Sequence, residues 1–334
     1  MKKALSFIMA LCMVVALCTV SAFAADVSDM KPVVISAASS SAEGGLFMTM
    51  LEESCNKITE RTDGKVQFVM YPGNQLGSVN DCMEMMINGA DIMTGVGMAN
   101  LSTYLKEAAI PGYPYVCNSK EDMLKLINSE WWASIKEQLL ADWNIVPVLV
   151  SSNGYRNMIG TVPVRSAEDL ASVITRIGLG TIGQNFIAAT GGTPTVTSAF
   201  SDCYSAIQTG MFELCEADLE TIYKAGLAEV SPYLSMTHHM MNPACMFVNG
   251  TTWEKIPAEY QAIVLEEFDN FFTNYFDAAT SQEAEWIAKF EEAGVTVIPN
   301  SEVDVESFRA TVPYILEAEG VDPAVFDEVI AAIS

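Results

Sequence analysis

The stretch VPVLVSSNGYRNMIGTVPVRSAEDLASVITRIGLG, Val146–Gly180, decides how this chain folds. Two β-branched apolar runs within it, Val146–Val150 and Val173–Leu179, read as strands buried on both faces. Asn153-Gly154-Tyr155-Arg156 follows the first run, and Arg176 lies inside the second. A buried charge without a partner is strongly unfavourable, so a strand arginine must be paired. Guanidinium forks onto a carboxylate through two parallel hydrogen bonds. That carboxylate has two possible sources, an acidic side chain of the chain itself or a small ligand.

Upstream of this stretch, Val33–Ala37, Val66–Tyr71 and a short run after Gly89-Ala90-Asp91-Ile92 read as strands. They alternate with helical patterns over Leu46–Arg61 and Val79–Asn88, and two more helices are expected over Glu121–Asn128 and Trp131–Trp143. Repeated strand–loop–helix units predict an α/β fold with a parallel sheet. Ligands of such sheets bind at the carboxyl ends of the strands, where Ser40, Glu43, Gln75 and Asn100 fall. Downstream, helices are expected over Gly180–Thr190, Ser201–Thr209 and Asp218–Ala228, with strands over Met211–Cys215 and Val295–Ile298. Pro257–Glu292 has no internal Pro or Gly and keeps helical spacing through Ile263, Leu265, Phe268, Phe272, Phe276, Trp286 and Phe290. That predicts one helix, or two nearly continuous ones, on the order of 50 Å long. A rod of that length would brace two lobes. With no internal repeat and no disordered linker, the lobes are expected to be joined by several strand crossings.

The chain begins with Met1-Lys2-Lys3, an uncharged Ala4–Val20 segment and Ala22-Phe23-Ala24, the pattern of a secretory signal cleaved after Ala24. About 310 residues then remain, enough for two lobes. The net charge of −25 excludes nucleic acid and anionic membrane surfaces as partners, because both demand basic patches. It also makes each buried arginine more informative. Six cysteines follow the signal, widely spaced and without CxxC; they read as buried thiols, with disulfides possible in an oxidising compartment.

Catalytic motifs are missing: there is no GxSxG, HExxH, GxGxxG or phosphate-binding loop. The two histidines, His238 and His239, are adjacent and on a strand would face opposite sides. No cysteine spacing suggests zinc, so neither a metal nor a catalytic residue is expected. Binding without chemistry is the expectation.

The order and spacing of several short segments resemble the substrate-binding proteins of TRAP-type (tripartite ATP-independent periplasmic) transporters. They include Tyr71-Pro72-Gly73-Asn74-Gln75-Leu76-Gly77, Gly89-Ala90-Asp91-Ile92, Gly154-Tyr155-Arg156, Thr175-Arg176-Ile177, Tyr204-Ser205-Ala206-Ile207-Gln208-Thr209-Gly210 and Trp253-Glu254-Lys255-Ile256-Pro257. The resemblance covers nearly all of the mature chain. It implies a two-lobed periplasmic-binding-protein fold of type II-like architecture, with a long helix spanning both lobes. Lobe I is expected over 25–152 plus 240–280 and lobe II over 153–239 plus 281–334.

The resemblance also implies that Arg176 forks onto a ligand carboxylate and that Arg156 assists. Ser40, Glu43, Gln75, Asn100, Phe200 and Glu216 complete the expected ligand-binding set. Glu213-Leu214-Cys215-Glu216-Ala217-Asp218 stands where the family often has Asp-Gly-Gln-Glu-Asn-Pro, so Ala217 replaces an amide. The implied role is an extracytoplasmic, monomeric protein without cofactor that captures a small organic acid and delivers it to membrane permease subunits. The alternatives are presentation of the ligand to a membrane sensor, or an exported enzyme on this fold.

Overall fold

The structure, a computed structural model, describes residues 30–178, 180–197 and 200–334. The expected signal peptide and its cleavage point lie outside the described residues, as does Leu179. Eleven strands form two sheets among the described residues. The first sheet runs β2-β1-β3-β10-β4, from Val66–Tyr71, Val33–Ala38, Ile92–Gly97, Ala244–Asn249 and Ile145–Ser151 respectively. The second runs β11-β9-β5-β8-β6-β7, from Thr296–Ile298, Tyr233–Met240, Arg156–Gly160, Leu214–Ala217, Ile174–Arg176 and Thr193–Thr195. The βαβ units pair in parallel, β1 with β2 and β3, and β6 with β7 and β8. The strands next to a crossing between the sheets pair antiparallel: β10 with β3 and β4, and β5 with β8 and β9.

The chain crosses between the sheets three times. It passes from β4 to β5 through 152–155, returns from β9 to β10 through 241–243, and crosses again along the helical rod that precedes β11. That rod is two helices, Ala258–Thr280 and Glu283–Glu292. The break falls where Thr280 and Ser281 turn their hydroxyls back onto the carbonyls of Phe276 and Ala278, a competition that weakens the helix. Along the rod, Val264, Phe268 and Phe271 enter the core beneath the first sheet, Phe272 and Phe276 enter a second apolar cluster, and Phe290 enters the core of the second sheet. Burying each such aromatic contributes about 1.5–3 kcal/mol, so the rod holds both layers. Leu265 departs from the expected stripe and is exposed.

Most element positions agree with their sequence patterns, and three corrections stand out. The strand expected at Met211–Cys215 is β8 at Leu214–Ala217, because Gly210 takes a left-handed φ of 70° and leaves Met211 in solvent. The run beginning at Val173 forms only a three-residue strand, β6. The helix expected from Ser201 begins at Cys203, after a 3-10 turn over Phe200–Asp202. Among the described residues, no helix is long and apolar enough to cross a membrane.

Strands β5 and β8 approach very closely at Gly160, where an added Cβ would lie 1.9 Å from the Glu213 carbonyl oxygen. Gly160→Ala must therefore force the two strands apart, with an expected destabilisation of about 1–3 kcal/mol. A urea titration should show a lower midpoint with an unchanged slope. An unchanged midpoint would mean that the strands are not this close.

Candidate functional site

A carboxylate with no solvent exposure organises the site. Glu216 sits on β8, its side chain completely buried, and Arg156 on the neighbouring β5 forks onto it. Arg156 Nε donates to Oε2, and Nη2 donates to Oε1 at 2.9 Å and to the Glu216 carbonyl at 3.2 Å. The backbone N–H of Gly178 donates to Oε1 at 2.8 Å. On the far side, Nε2 of the buried His239 lies 3.4 Å from Oε2. Thr237 Oγ1 is 2.8 Å from His239 Nδ1. With the Thr237 hydroxyl donating to Nδ1, the proton of a neutral imidazole sits on Nε2 and points at Glu216.

The charges follow from this geometry. Burial favours a neutral Glu216 carboxyl, but Arg156 and His239 outweigh it and hold the group at about 2, so it is ionised. Burial lowers His239, which stays neutral. Burial and the neighbouring His239 likewise push His238 down to about 4. His238 is stacked on Tyr155, with ring centres 4.5 Å apart, and adopts a left-handed φ of 44°. A register shift between Arg156 and Met158 in the β5–β9 pairing accompanies it. Such a bulge re-aims a strand side chain, and it sits beside the residue that must turn toward Glu216.

Arg176 ends β6 directly opposite Cys215 of β8. Its Nε donates to Thr197 Oγ1 at 3.2 Å, its guanidinium lies 5.2 Å from the centre of the Phe200 ring, and Nη1 is 3.9 Å from Glu216 Oε1. That last distance is an ion-pair separation beyond hydrogen-bond reach. Two guanidiniums thus face one carboxylate, and the cluster keeps one unit of positive charge. It borders a cavity of about 1070 Å³ between the two sheets, lined by both arginines and by residues of both sheets. The wall across from the arginines carries Ser40, Asn80, Asn100 and Thr103. At the base, the two strand crossings are tied together: the Ser152 hydroxyl donates to the Met241 carbonyl, and Asn242 Nδ2 donates to Asn153 Oδ1 at 3.1 Å.

Of the residues singled out in the sequence, Arg176, Arg156, Ser40, Asn100 and Phe200 come together around this cavity. Gln75 and Glu43 do not line it. Glu216 is turned inward, so its contact is with the two arginines and not with the cavity. The internal partner and the outward-facing charge are therefore both present: Arg156 takes the first and Arg176 borders the second. His239, Gly178 and the Asn153–Asn242 pair were not anticipated. The adjacent histidines were the one legible signal for His239, and its approach to Glu216, which lies two strands away in the sheet, was not. Among the described residues, no group of three or more His, Cys, Asp or Glu could hold a metal ion.

Comparisons with known proteins agree on one family. Residues 38–319 match the family described as DctP, bacterial extracellular solute-binding protein, family 7. The chain is 25% identical over 252 residues to the sialic acid-binding periplasmic protein SiaP of Vibrio cholerae, covering 75% of this chain and 77% of that one. Among solved structures, a TRAP periplasmic solute-binding protein from Escherichia fergusonii in an apo open form superposes with a TM-score of 0.81 at 23% identity, covering 90% of this chain and 99% of the other. A second, from Roseobacter denitrificans with bound L-galactonate, gives a TM-score of 0.73 at 23% identity over 92% and 100% of the two chains.

Two outcomes test the buried cluster. Glu216→Gln leaves the guanidiniums without their counter-charge and should cost about 3–5 kcal/mol in a chemical melt. The second concerns pH. A native state that keeps His238 neutral down to about 4 binds fewer protons than the unfolded chain below about 6.5, so stability should fall as pH drops from 6.5 toward 4. The Glu216 contribution is lost in turn as pH falls from about 4.5 toward 2. His238→Phe keeps the stack on Tyr155 and should flatten the upper part of this decline; an unchanged slope between pH 6.5 and 4.5 would show that His238 is not its source.

Proposed function

The chain belongs to bacterial extracellular solute-binding protein family 7, and from that premise we propose that it captures a small hydroxylated carboxylate, of the sugar-acid class, in the cavity between its two sheets. The observation that carries this reading is the single unit of positive charge left by Arg156, Arg176 and Glu216 at the cavity wall. It stands against a chain of net charge −25, so an anion is drawn to one point and repelled elsewhere. Arg176 supplies the fork, with Phe200 and Thr197 fixing the guanidinium plane. The opposite wall offers hydroxyls and amides, the groups that recognise sugar hydroxyls. The sialic acid and L-galactonate named for the two relatives above belong to the same chemical class, which supports it further.

In this mechanism the ligand enters between the two lobes, and its carboxylate meets Arg176. The lobes then close because the ligand touches both walls only in the closed form. Closure excludes water and strengthens the ion pair. Arg156 stays on Glu216 throughout, holding the anchor geometry and sparing the ligand a direct encounter with the buried carboxylate. The closed, exported, monomeric form is then delivered to the permease subunits of a TRAP transporter.

A thermal-shift panel of hexonates, hexuronates and sialic acid beside the corresponding neutral sugars tests this reading. At least one acid should raise the melting temperature, and its neutral counterpart should not. Arg176→Lys keeps the charge but loses the fork, and should weaken binding of that acid by roughly ten- to hundredfold in calorimetry. Stabilisation by neutral sugars alone would overturn the assignment.

A further inference from the structure

We propose that an apolar recess beneath the helices Val312–Glu319 and Pro323–Ile333 is a second binding site, for an uncharged apolar small molecule, and that its occupant restrains the strand that supports Glu216. The recess has a volume of about 970 Å³ and shares no lining residue with the cavity between the sheets. Its walls are Val312 and Leu316 of the first helix, Phe326 and Ile330 of the second, and Tyr115 and Val116 of the loop that precedes the helix Lys120–Ile127. Tyr115, Val116, Val312 and Leu316 are buried although they line it, so the space has a deep floor and is not a flat face. A concave volume of that size, walled by aliphatic and aromatic carbon, has the form of a small-molecule site.

Charge selects among small molecules. Asp122, Glu317 and Asp327 line the recess against one guanidinium, Arg309, which is already paired with Glu306. The balance is negative and disfavours an organic anion of the kind drawn to Arg176. The two cavities therefore take different classes of ligand.

The floor of the recess is tied to the anchor. Tyr115 takes a left-handed φ of 59°, a conformation that a bulky residue rarely adopts. Strain held in place by its surroundings marks functional positions. Three hydrogen bonds hold it here: the Tyr115 N–H donates to the His239 carbonyl at 2.9 Å, its hydroxyl donates to the Thr237 carbonyl at 3.0 Å, and its carbonyl accepts from Asn118 Nδ2 at 3.0 Å. His239 is the residue whose Nε2 lies 3.4 Å from Glu216 Oε2. Aromatic rings run the same way. Tyr115 stacks on Phe308 at 5.6 Å and meets Phe186 edge-on at 6.4 Å, and Phe186 stacks on His239 at 5.7 Å. An occupant packed on Tyr115 restrains the loop that fastens Thr237 and His239, and so slows the local opening of β9.

The test uses the full chain and the neutral fluorophore N-phenyl-1-naphthylamine, with the anionic 8-anilinonaphthalene-1-sulfonate as the charge control. The neutral probe should bind saturably, and the sulfonate at least about tenfold more weakly. Hydrogen exchange read by mass spectrometry should slow over Val312–Glu319 and Pro323–Ile333, and also over Tyr233–Met240. Ile330→Trp fills the recess and Phe326→Ser makes its wall polar; each should weaken the neutral probe by about tenfold, with far-UV circular dichroism unchanged. Leu265→Ser, at an exposed position on the rod, should leave probe binding intact. Protection confined to the cavity between the sheets, unchanged binding by both recess variants, tighter binding of the sulfonate, or unchanged exchange over Tyr233–Met240 would each overturn the proposal. A dimer in solution that protects the same two helices without probe would also overturn it. None of these readouts involves an acid ligand, so this site and the sugar-acid reading stand or fall separately.

Discussion

A carboxylate buried without access to water imposes the strictest constraint in this molecule. Glu216 is stable as an anion only because Arg156, the Gly178 amide and His239 surround it. Each partner comes from a different segment: Arg156 from β5, Gly178 from the end of the β6 run, and His239 from β9. Ladder pairing on both sides of β5 holds the strand of Arg156 against those of Glu216 and His239. The ion pair is weak evidence for stability in itself, since desolvation offsets most of the attraction. Its effect is specificity: it fixes where the second arginine finds room.

That division explains why a chain with so strong a negative charge carries two arginines side by side. Arg156 alone would be neutralised, and Arg176 alone would lack rigid support. Together with one carboxylate they leave a single positive charge on a preformed surface, positioned by strands and an aromatic ring and not by a flexible loop. Preorganisation of this kind lowers the entropy lost when an anion docks.

The two-sheet α/β architecture and the long rod were legible in the sequence because periodicity reports burial directly. The spacing of Phe268, Phe272, Phe276 and Phe290 needs no partner to be read, and even the alternative of two nearly continuous helices was visible in it. Short elements were harder. At β8 the apolar pattern slides by a few residues, and only the left-handed Gly210 decides that Met211 lies outside the strand. The site was legible to the extent that an arginine inside an apolar run signals the need for a partner. Arg176 could be named, but whether its neighbour Arg156 faced ligand or protein depended on a pairing across 60 residues. No local pattern encodes such a contact. For Gln75 and Glu43, lying after a strand was insufficient, since loop direction decides which residues reach the cavity.

The base of the cavity carries a mechanical consequence. The three crossings between the layers converge: Asn153 is bonded to Asn242, and Thr280, at the break in the rod, would touch a side chain placed on Gly154 at 3.3 Å. The two loop crossings are fastened side by side, and the break in the rod lies next to them. This arrangement resists sliding or twisting of one layer against the other, which would strain the bonds between the two loop crossings, more than it resists bending at them. The interrupted rod contributes a joint there in place of a stiff beam, so the chain's longest element stabilises both halves without locking the angle between them.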